Sequence, residues 1–474
     1  MKKPERLIGF VILDDIEYPF EFEEKTFSLH LYPPAVEIWE KNSDPIHLFQ
    51  ALSNQDHKNH EWVGQKRVEG ITSESNNIIF CVLDSPANFH GFISFRVVWY
   101  FYYSKDLDIK RIEGFKITGH DVNLFYPPQV AFSSKFEPND SGGSFDRITV
   151  TTNKQKNLYC GEYFVSDNVD AKVGVTAYIS HYSNRAANPV QAISAMTTTF
   201  SAPVGIDTLI DSYYDIVNFF KYITYRNNVD IGDFEVFFVN EKNLREYEGL
   251  LVFPNKCEPE SNEGKKERII AYNLLTDRST KIIDAIKSKH MGLRHICSST
   301  DDQLNYPASR IIMIFAEFER EYRNIYGEES FRSDEYLTVK SEVVSLIDEY
   351  FRLQKGKKRQ YTKQISDYVK KRDNSFRDNL MYALRDNEDI MSPFVSKRYE
   401  GTYDVLVDAM SSRMGVVRNG IAHSHLDLQF DAVHLSDIKI IEELIYAMRL
   451  KKIGLSLKEC QMAINKLFAE YLAL

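Results

Sequence analysis

The residues best suited to chemistry lie close together near the C-terminal end of the chain, where residues 416–425 read Val-Val-Arg-Asn-Gly-Ile-Ala-His-Ser-His. Arg418 and His423 are separated by four residues. An arginine is permanently charged and can hold a phosphate through two parallel hydrogen bonds, whereas a histidine gains and loses its proton near neutral pH. Asn419 adds an amide that can orient a ring nitrogen or a substrate oxygen. Together these side chains are suited to cutting a phosphodiester.

Two further residues leave alternatives open in this stretch. His425 lies two residues beyond His423, so either histidine could do the chemistry, and His425 could instead be an accessory donor or a surface residue. Gly420 lets the backbone leave regular helix geometry. Because arginine and histidine are favoured at the negative end of a helix dipole, the stretch could also be a plain helix C-terminus with Gly420 as its cap.

A helix must position these side chains. An apolar pattern begins near Tyr403, includes Leu406, Met410 and Met414, and ends at the reactive stretch. Apolar residues that recur at steps of three and four predict an amphipathic helix. Arg418 is therefore expected in the last part of a helix.

The C-terminal region as a whole is predicted to be helical. Apolar stripes of the same kind occur at 311–325 and 339–350, and the last helix begins with Ser456 and Glu459 at the spacing of a capping box. Six or so such stripes with short links are typical of an α-helical bundle. We expect this bundle to cover residues 268–474.

The N-terminal region is predicted to form antiparallel β-sheets, as a sandwich or a barrel. Runs rich in β-branched and aromatic residues alternate there with clusters of Gly, Asn, Asp and Pro. The predicted strands are 7–13, 78–83, 92–103, 111–118, 147–152, 172–180 and 190–199.

A helix and a hairpin are expected to close this first domain. Residues 206–225 carry an amphipathic helical pattern, and the runs 234–239 and 247–253 resemble paired strands. A polar stretch without apolar periodicity follows and indicates a linker. The predicted organisation is α+β and multidomain, with a β-rich domain at 1–255, a linker at 256–267 and an all-α domain at 268–474.

Composition limits the classes of function. The 474 residues carry a formal charge of -10, which argues against a protein that coats nucleic acid without specificity. The five cysteines are scattered and never spaced as Cys-x-x-Cys, which favours reduced thiols over a disulfide framework or a zinc ribbon. We predict no metal site. Apolar runs are too short to cross a bilayer. These features predict a cytoplasmic protein without a membrane partner.

One basic segment stands out against the acidic average. It contains the residues that could contact an RNA backbone: Lys357, Lys358, Arg359, Lys370, Lys371 and Arg372. Such a run is equally typical of a solvated helix face.

The pattern Arg-Asn-x-x-x-His at 418–423 resembles the signature of the HEPN ribonucleases, and most closely the Apea-like anti-phage branch, which joins a β-rich region to a C-terminal HEPN bundle. The resemblance implies a metal-independent endoribonuclease without a cofactor, in which Arg418, Asn419 and His423 are catalytic. It also implies a homodimer or higher even oligomer, because in the family two protomers form a composite site.

The same resemblance implies a role in abortive infection. The β-rich domain would sense a trigger of phage origin, and the toxic nuclease would then cut RNA, with transfer RNA as the leading substrate. An alternative is a non-catalytic HEPN module that binds nucleotides or only dimerises. In that case the N-terminal domain would bind a ligand or a carbohydrate.

Overall fold

The structure is a computed structural model, and it describes residues 6–32, 64–84, 86–89, 92–105, 107–138, 145–154, 156–166, 168–181, 190–239, 244–254, 260, 267–327, 334–371, 375–422 and 430–473. The chain divides into two compact units. The β-rich unit comprises Met1–Tyr214 and Asp230–Pro259, and the helical unit comprises Asp215–Val229 and Glu260–Leu474.

Fifteen strands are described, all of them in the β-rich unit. They are β1 (Arg6–Leu13), β2 (Ile16–Glu23), β3 (Ser28–Leu31), β4 (Gln65–Thr72), β5 (Asn77–Leu83), β6 (Ala87–Phe89), β7 (Phe92–Tyr103), β8 (Ile112–Thr118), β9 (Phe132–Pro138), β10 (Phe145–Thr152), β11 (Leu158–Ser166), β12 (Val169–His181), β13 (Val190–Val204), β14 (Phe234–Val239) and β15 (Arg245–Val252).

Six of these strands close into a barrel. Their order is β7-β3-β2-β1-β4-β5, and β5 pairs again with β7. Burial alternates along the strands, as in β2, where Tyr18, Phe20 and Phe22 point inward. Phe22, Phe80 and Tyr100 pack ring against ring inside, with centroids 5.0–5.2 Å apart between Phe22 and the other two. The barrel therefore has an aromatic core.

The sheet continues beyond the barrel through β7. From there the order is β15-β14-β8-β13-β12-β11, while β9 and β10 form a separate hairpin. Every pairing between these strands is antiparallel. Two helices belong to this part of the chain, α1 (His120–Phe125) and the N-terminal part of α2 (Ile206–Thr224).

Helix α2 falls across the division between the units. The sequence assigned all of residues 206–225 to the first domain, whereas residues from Asp215 onward group with the helical unit. Tyr222 stacks on Tyr446 there, with ring centroids 4.5 Å apart. Tertiary packing of this kind is not visible in the periodicity of one helix.

Ten further α-helices are described in the helical unit. They are α3 (Tyr272–Leu275), α4 (Ser279–Lys287), α5 (Ala308–Tyr326), α6 (Asp334–Leu353), α7 (Gly356–Lys371), α8 (Phe376–Asp386), α9 (Glu388–Arg398), α10 (Tyr403–Ala422), α11 (Ala432–Lys452) and α12 (Leu457–Leu467). The expected order, a β-rich half with a barrel followed by an all-helical region, is confirmed. In the described part of the chain no helix is long and apolar enough to cross a membrane.

Helix α11 forms the centre of the helical unit and is buried on nearly all sides. It brings two glutamates into the interior, and both are paired. Glu442 accepts hydrogen bonds from the Tyr306 hydroxyl at 2.7 Å and from Arg310 at 2.9 Å, and also from Tyr225. Glu443 accepts two from Arg398, at 2.9 and 2.7 Å. These contacts satisfy charges that would otherwise be costly to bury.

Candidate active site

Helix α10 carries the predicted catalytic arginine. Its buried residues recur at steps of three and four, at Val407, Met410, Met414, Val417 and Ile421. This stripe packs into the helical unit, as the sequence predicted from Met410 and Met414. The other sides of α10 carry its polar residues, together with the exposed Val405 and Val416.

Two polar contacts fix the rotation of α10 about its axis. The Arg413 guanidinium donates from Nε and Nη2 to the two carboxylate oxygens of Asp437, at 2.8 and 2.9 Å, and Asp437 is fully buried on α11. At the first residue of the helix, the Tyr403 hydroxyl donates to the carbonyl oxygen of Leu384 at 2.8 Å. A bidentate pair sets direction as well as distance. The Arg413–Asp437 pair therefore also sets the direction in which Arg418, further along α10, points.

The interpretation of Gly420 as a helix cap is wrong. Helix α10 runs to Ala422, so Gly420 lies inside it and the backbone does not leave helical geometry there. A glycine costs a helix interior about 1 kcal/mol relative to alanine. Burial of Val417 and Ile421 on either side of it contributes more, at about 1.5–3 kcal/mol for each fully buried side chain.

Arg418 is half-buried and pairs with Glu319 of α5. Its Nε donates to Oε1 of Glu319 at 3.0 Å, and its Nη2 lies 2.9 Å from the same oxygen. The two side chains are 36% and 29% exposed. The guanidinium is therefore held along one edge, while part of it remains accessible to solvent.

A second cation lies close to this pair in the α5 helix. Arg323 is one turn beyond Glu319, is exposed, and donates from Nε to the carbonyl oxygen of Glu319 at 3.2 Å. Residues four apart occupy the same face of a helix. Arg418, Glu319 and Arg323 thus form one partly exposed charged surface.

Sequence reasoning missed Glu319 and Arg323. Glu319 precedes Arg418 by 99 residues, and no short-range pattern links them. The available signal was weak: both residues fall on the polar side of the amphipathic pattern of α5. That side is polar in most surface helices, so it does not identify a site.

Of the remaining motif residues, the structure describes Asn419. Asn419 is exposed on α10, beside Arg418. His423 and His425 lie outside the described residues, and His423 follows Ala422 directly in the sequence. Their roles stay predictions.

The predicted RNA-binding residues lie on or just after α7. Lys357 and Lys358 are exposed at its start. Arg359 stacks over the Phe351 ring, with its guanidinium carbon 4.8 Å from the centroid. Lys370 pairs with Asp348 at 2.8 Å, and this contact is the main cause of a lowered pKa for the Asp348 carboxyl. The Lys371 side chain and all of Arg372 lie outside the described residues.

Two of these cations therefore contribute to local structure, because they hold α7 against α6. Lys357 and Lys358, exposed in the first turn of α7, are the candidates that remain for an RNA contact. Within the described ranges, no group of three or more His, Cys, Asp or Glu side chains could hold a metal ion.

Comparisons of the chain with models of protein families, with curated proteins and with solved structures find no match.

Proposed function

We propose that the helical unit is an endoribonuclease of the HEPN type that acts in anti-phage defence by abortive infection. The observation that supports this most is the presentation of Arg418. It lies at the end of a firmly packed helix, is held along one edge by Glu319, and stands beside the exposed Asn419. His423 follows this helix in the sequence.

The guanidinium keeps hydrogen-bond donors for a substrate. An arginine carries five N–H groups. Glu319 engages Nε and one hydrogen of Nη2, so that three N–H groups of Nη1 and Nη2 remain. Those three are sufficient for a bidentate contact with a phosphate. Arg323, one turn along α5, adds a second positive charge for the RNA backbone.

The proposed reaction needs only a base, an acid and a cation. His423 accepts the proton of a ribose 2'-hydroxyl, the resulting oxygen attacks the adjacent phosphorus, and the bond from phosphorus to the 5'-oxygen breaks. A proton returns to that 5'-oxygen, which leaves a 2',3'-cyclic phosphate and a 5'-hydroxyl. Arg418 stabilises the charge that develops on the phosphoryl oxygens. DNA lacks the 2'-hydroxyl and would not be cut.

One motif supplies too few groups for both proton transfers. We therefore propose that two copies of the chain set their motifs face to face, with the histidine of one copy as base and that of the other as acid. Such a site has two-fold symmetry and is incomplete in a monomer.

The β-rich unit is proposed as the sensor of a phage-derived trigger. A cleft of about 430 Å³ lies beside the barrel and is lined by Arg67, Trp99 and Asp207, among others. The guanidinium carbon of Arg67 lies 5.5 Å from the centroid of the Trp99 ring, and Arg67 pairs with Asp207. A ligand that competes for Arg67 could break this pair. Transfer RNA is the proposed substrate of the nuclease that would then be released.

One observation favours a second candidate, a non-catalytic dimerisation or nucleotide-binding module. The edge of Arg418 that faces Glu319 is the edge that could otherwise hold a phosphate through Nε and Nη2. In such a module the ion pair would be structural, and the N-terminal unit would carry the binding function.

Cleavage of a labelled RNA by the purified full chain tests the proposal. Arg418→Ala and His423→Ala should each lose at least 100-fold in rate, because each removes a group that acts in the transition state. Arg385→Ala is the matched control, since Arg385 is also half-exposed and pairs with Asp404 at 3.0 Å. Full activity in His423→Ala would refute the assignment, unless His423→Ala/His425→Ala were inactive, which would assign the role to His425.

A further inference from the structure

The hairpin of α6 and α7 presents large apolar side chains to solvent. On α6 they repeat at alternating steps of three and four: Tyr336, Val339, Val343, Leu346, Tyr350 and Leu353. Their exposure ranges from 39% to 79%. This is the spacing of the core positions of a coiled coil.

Helix α7 carries a matching row. Tyr361, Ile365 and Tyr368 follow the same three-and-four spacing and are 55–58% exposed. We call the two rows together the hairpin face. Exposed apolar residues are ordinary when scattered, but a contiguous set of this size marks an interaction surface.

Packing between α6 and α7 leaves the side chains of the hairpin face largely exposed. The helices meet through Thr362 and Ser366, which are buried, and the Ser366 hydroxyl donates to Asp348 at 2.7 Å. The Phe351 ring of α6 also contacts the Arg359 guanidinium of α7. No described side chain of α6 is buried. Most of the large apolar side chains of the hairpin thus remain exposed to solvent.

Both rows lie on the same side of the hairpin. An α-helix turns about 100° per residue. Measured around the axis of each helix, its apolar row therefore lies roughly 130° from the residues that contact the other helix. Because the two helices run antiparallel, this rotation brings both rows to the same side of the hairpin. The opposite side of the hairpin is polar, with Ser345 on α6 and Gln360 on α7.

The area is suited to a protein interface. A helix of this length is roughly 30 Å long, and two helices side by side are roughly 20 Å wide, so the face covers about 600 Å². A standard interface buries about 800 Å² on each partner.

The charges of the hairpin identify what would cover it. Helix α6 carries five acidic and two basic residues, whereas α7 carries six basic and one acidic. Any partner must therefore be basic along one half and acidic along the other. The hairpin itself has this distribution, so a second copy of the chain is complementary to it.

We propose that two chains associate through their hairpin faces to form an antiparallel four-helix bundle. A two-fold axis parallel to the helices places α6 of each copy over α7 of the other, which pairs opposite charges and makes neighbouring helices antiparallel. The alternative axis, perpendicular to the helices, would set α6 on α6 and α7 on α7, where like charges repel.

The register within the hairpin predicts which residues meet. Asp348 contacts Ser366 and Phe351 contacts Arg359, so Leu346 stands at about the level of Ile365. The proposed axis preserves this level. Leu346 of one copy therefore packs against Ile365 of the other.

This interface is separate from the composite nuclease site and does not depend on ribonuclease activity. Each chain would make the two contacts with different partners, so a chain with an altered hairpin face keeps the contact made through its motif and its assembly loses half of its mass.

Light scattering on the full chain tests the interface. Leu346→Glu/Ile365→Glu should halve the particle mass, because four charges would face each other in the bundle. Ser345→Glu/Gln360→Glu adds the same charges to the polar side and should leave the mass unchanged. An unchanged mass in the first variant, or a monomeric wild type, would overturn the proposal. A monomeric wild type in which the first variant binds RNA more weakly would assign the face to RNA instead.

Disulfide trapping tests the arrangement of the helices. Tagged Leu346→Cys chains mixed with untagged Ile365→Cys chains should form a mixed disulfide, since their Cβ atoms would lie within reach. Ser345→Cys mixed with Gln360→Cys is the control, and the described native cysteines are buried. A yield of mixed disulfide no higher than in the control would overturn the proposed interface. Efficient linkage of Leu346→Cys to itself would overturn the proposed axis.

Discussion

At the scale of single residues, Glu319 acts as a positioning residue in the proposed mechanism. It holds one edge of the Arg418 guanidinium, and both side chains are partly exposed. Glu319→Ala should lower kcat about 10-fold, because the guanidinium loses its fixed orientation. KM should fall at the same time, since a negative charge leaves the RNA-binding surface.

Thermal unfolding and steady-state cleavage measure these effects together. An ion pair of this exposure contributes only about 0–1 kcal/mol, so stability should change little. Asp404→Ala, which breaks the Arg385–Asp404 pair, is the control and should leave both kinetic constants unchanged. A loss of stability with unchanged kcat and KM would show that the Glu319 contact is structural.

The motif residues can be predicted from the sequence, but the residues that contact them cannot. The spacing of Arg418, Asn419 and His423 is local and can be read directly. The Glu319 contact joins residues far apart in the chain, and a long-range ion pair leaves no periodic trace. Gly420 was misjudged because burial of its neighbours outweighs its own helix penalty.

At the scale of elements, α11 depends on its buried charge pairs. Glu442→Ala would leave Arg310 buried without its carboxylate partner and should destabilise the helical unit by about 3–5 kcal/mol. Urea unfolding followed by circular dichroism measures this loss. Glu400→Ala, at an exposed site, should change stability by less than about 0.5 kcal/mol. Equal stability of the two variants would contradict a structural role for the pair.

Elements with strong periodicity were predicted well, and the others were not. The helix at 206–225 and the strand at 92–103 match α2 and β7 closely, because each carries many apolar residues. Strand β2 was missed although Tyr18, Phe20 and Phe22 alternate, since Pro19 and the glutamates between them weaken the strand signal. Strand β4 buries little besides Val68 and Thr72, so its pairing with β1 and β5 is what defines it.

At the scale of the whole molecule, the order of a β-rich half and a helical half followed from composition and periodicity. The closure of six strands into a barrel did not, because closure depends on β7 pairing with both β3 and β5. The place of residues 215–229 in the helical unit also depends on long-range packing. Both features come from contacts between elements, which local pattern does not specify.

The central claim is that this chain is a triggered ribonuclease whose motif is catalytic. Sequencing of RNA fragments with 5'-hydroxyl ends, from bacteria that express the chain with and without phage challenge, tests it most directly. The account predicts discrete new ends and protection for the wild type under challenge, and neither for Arg418→Ala or His423→Ala. Equal protection by these variants, with no new ends, would contradict it and place the defensive function outside the motif.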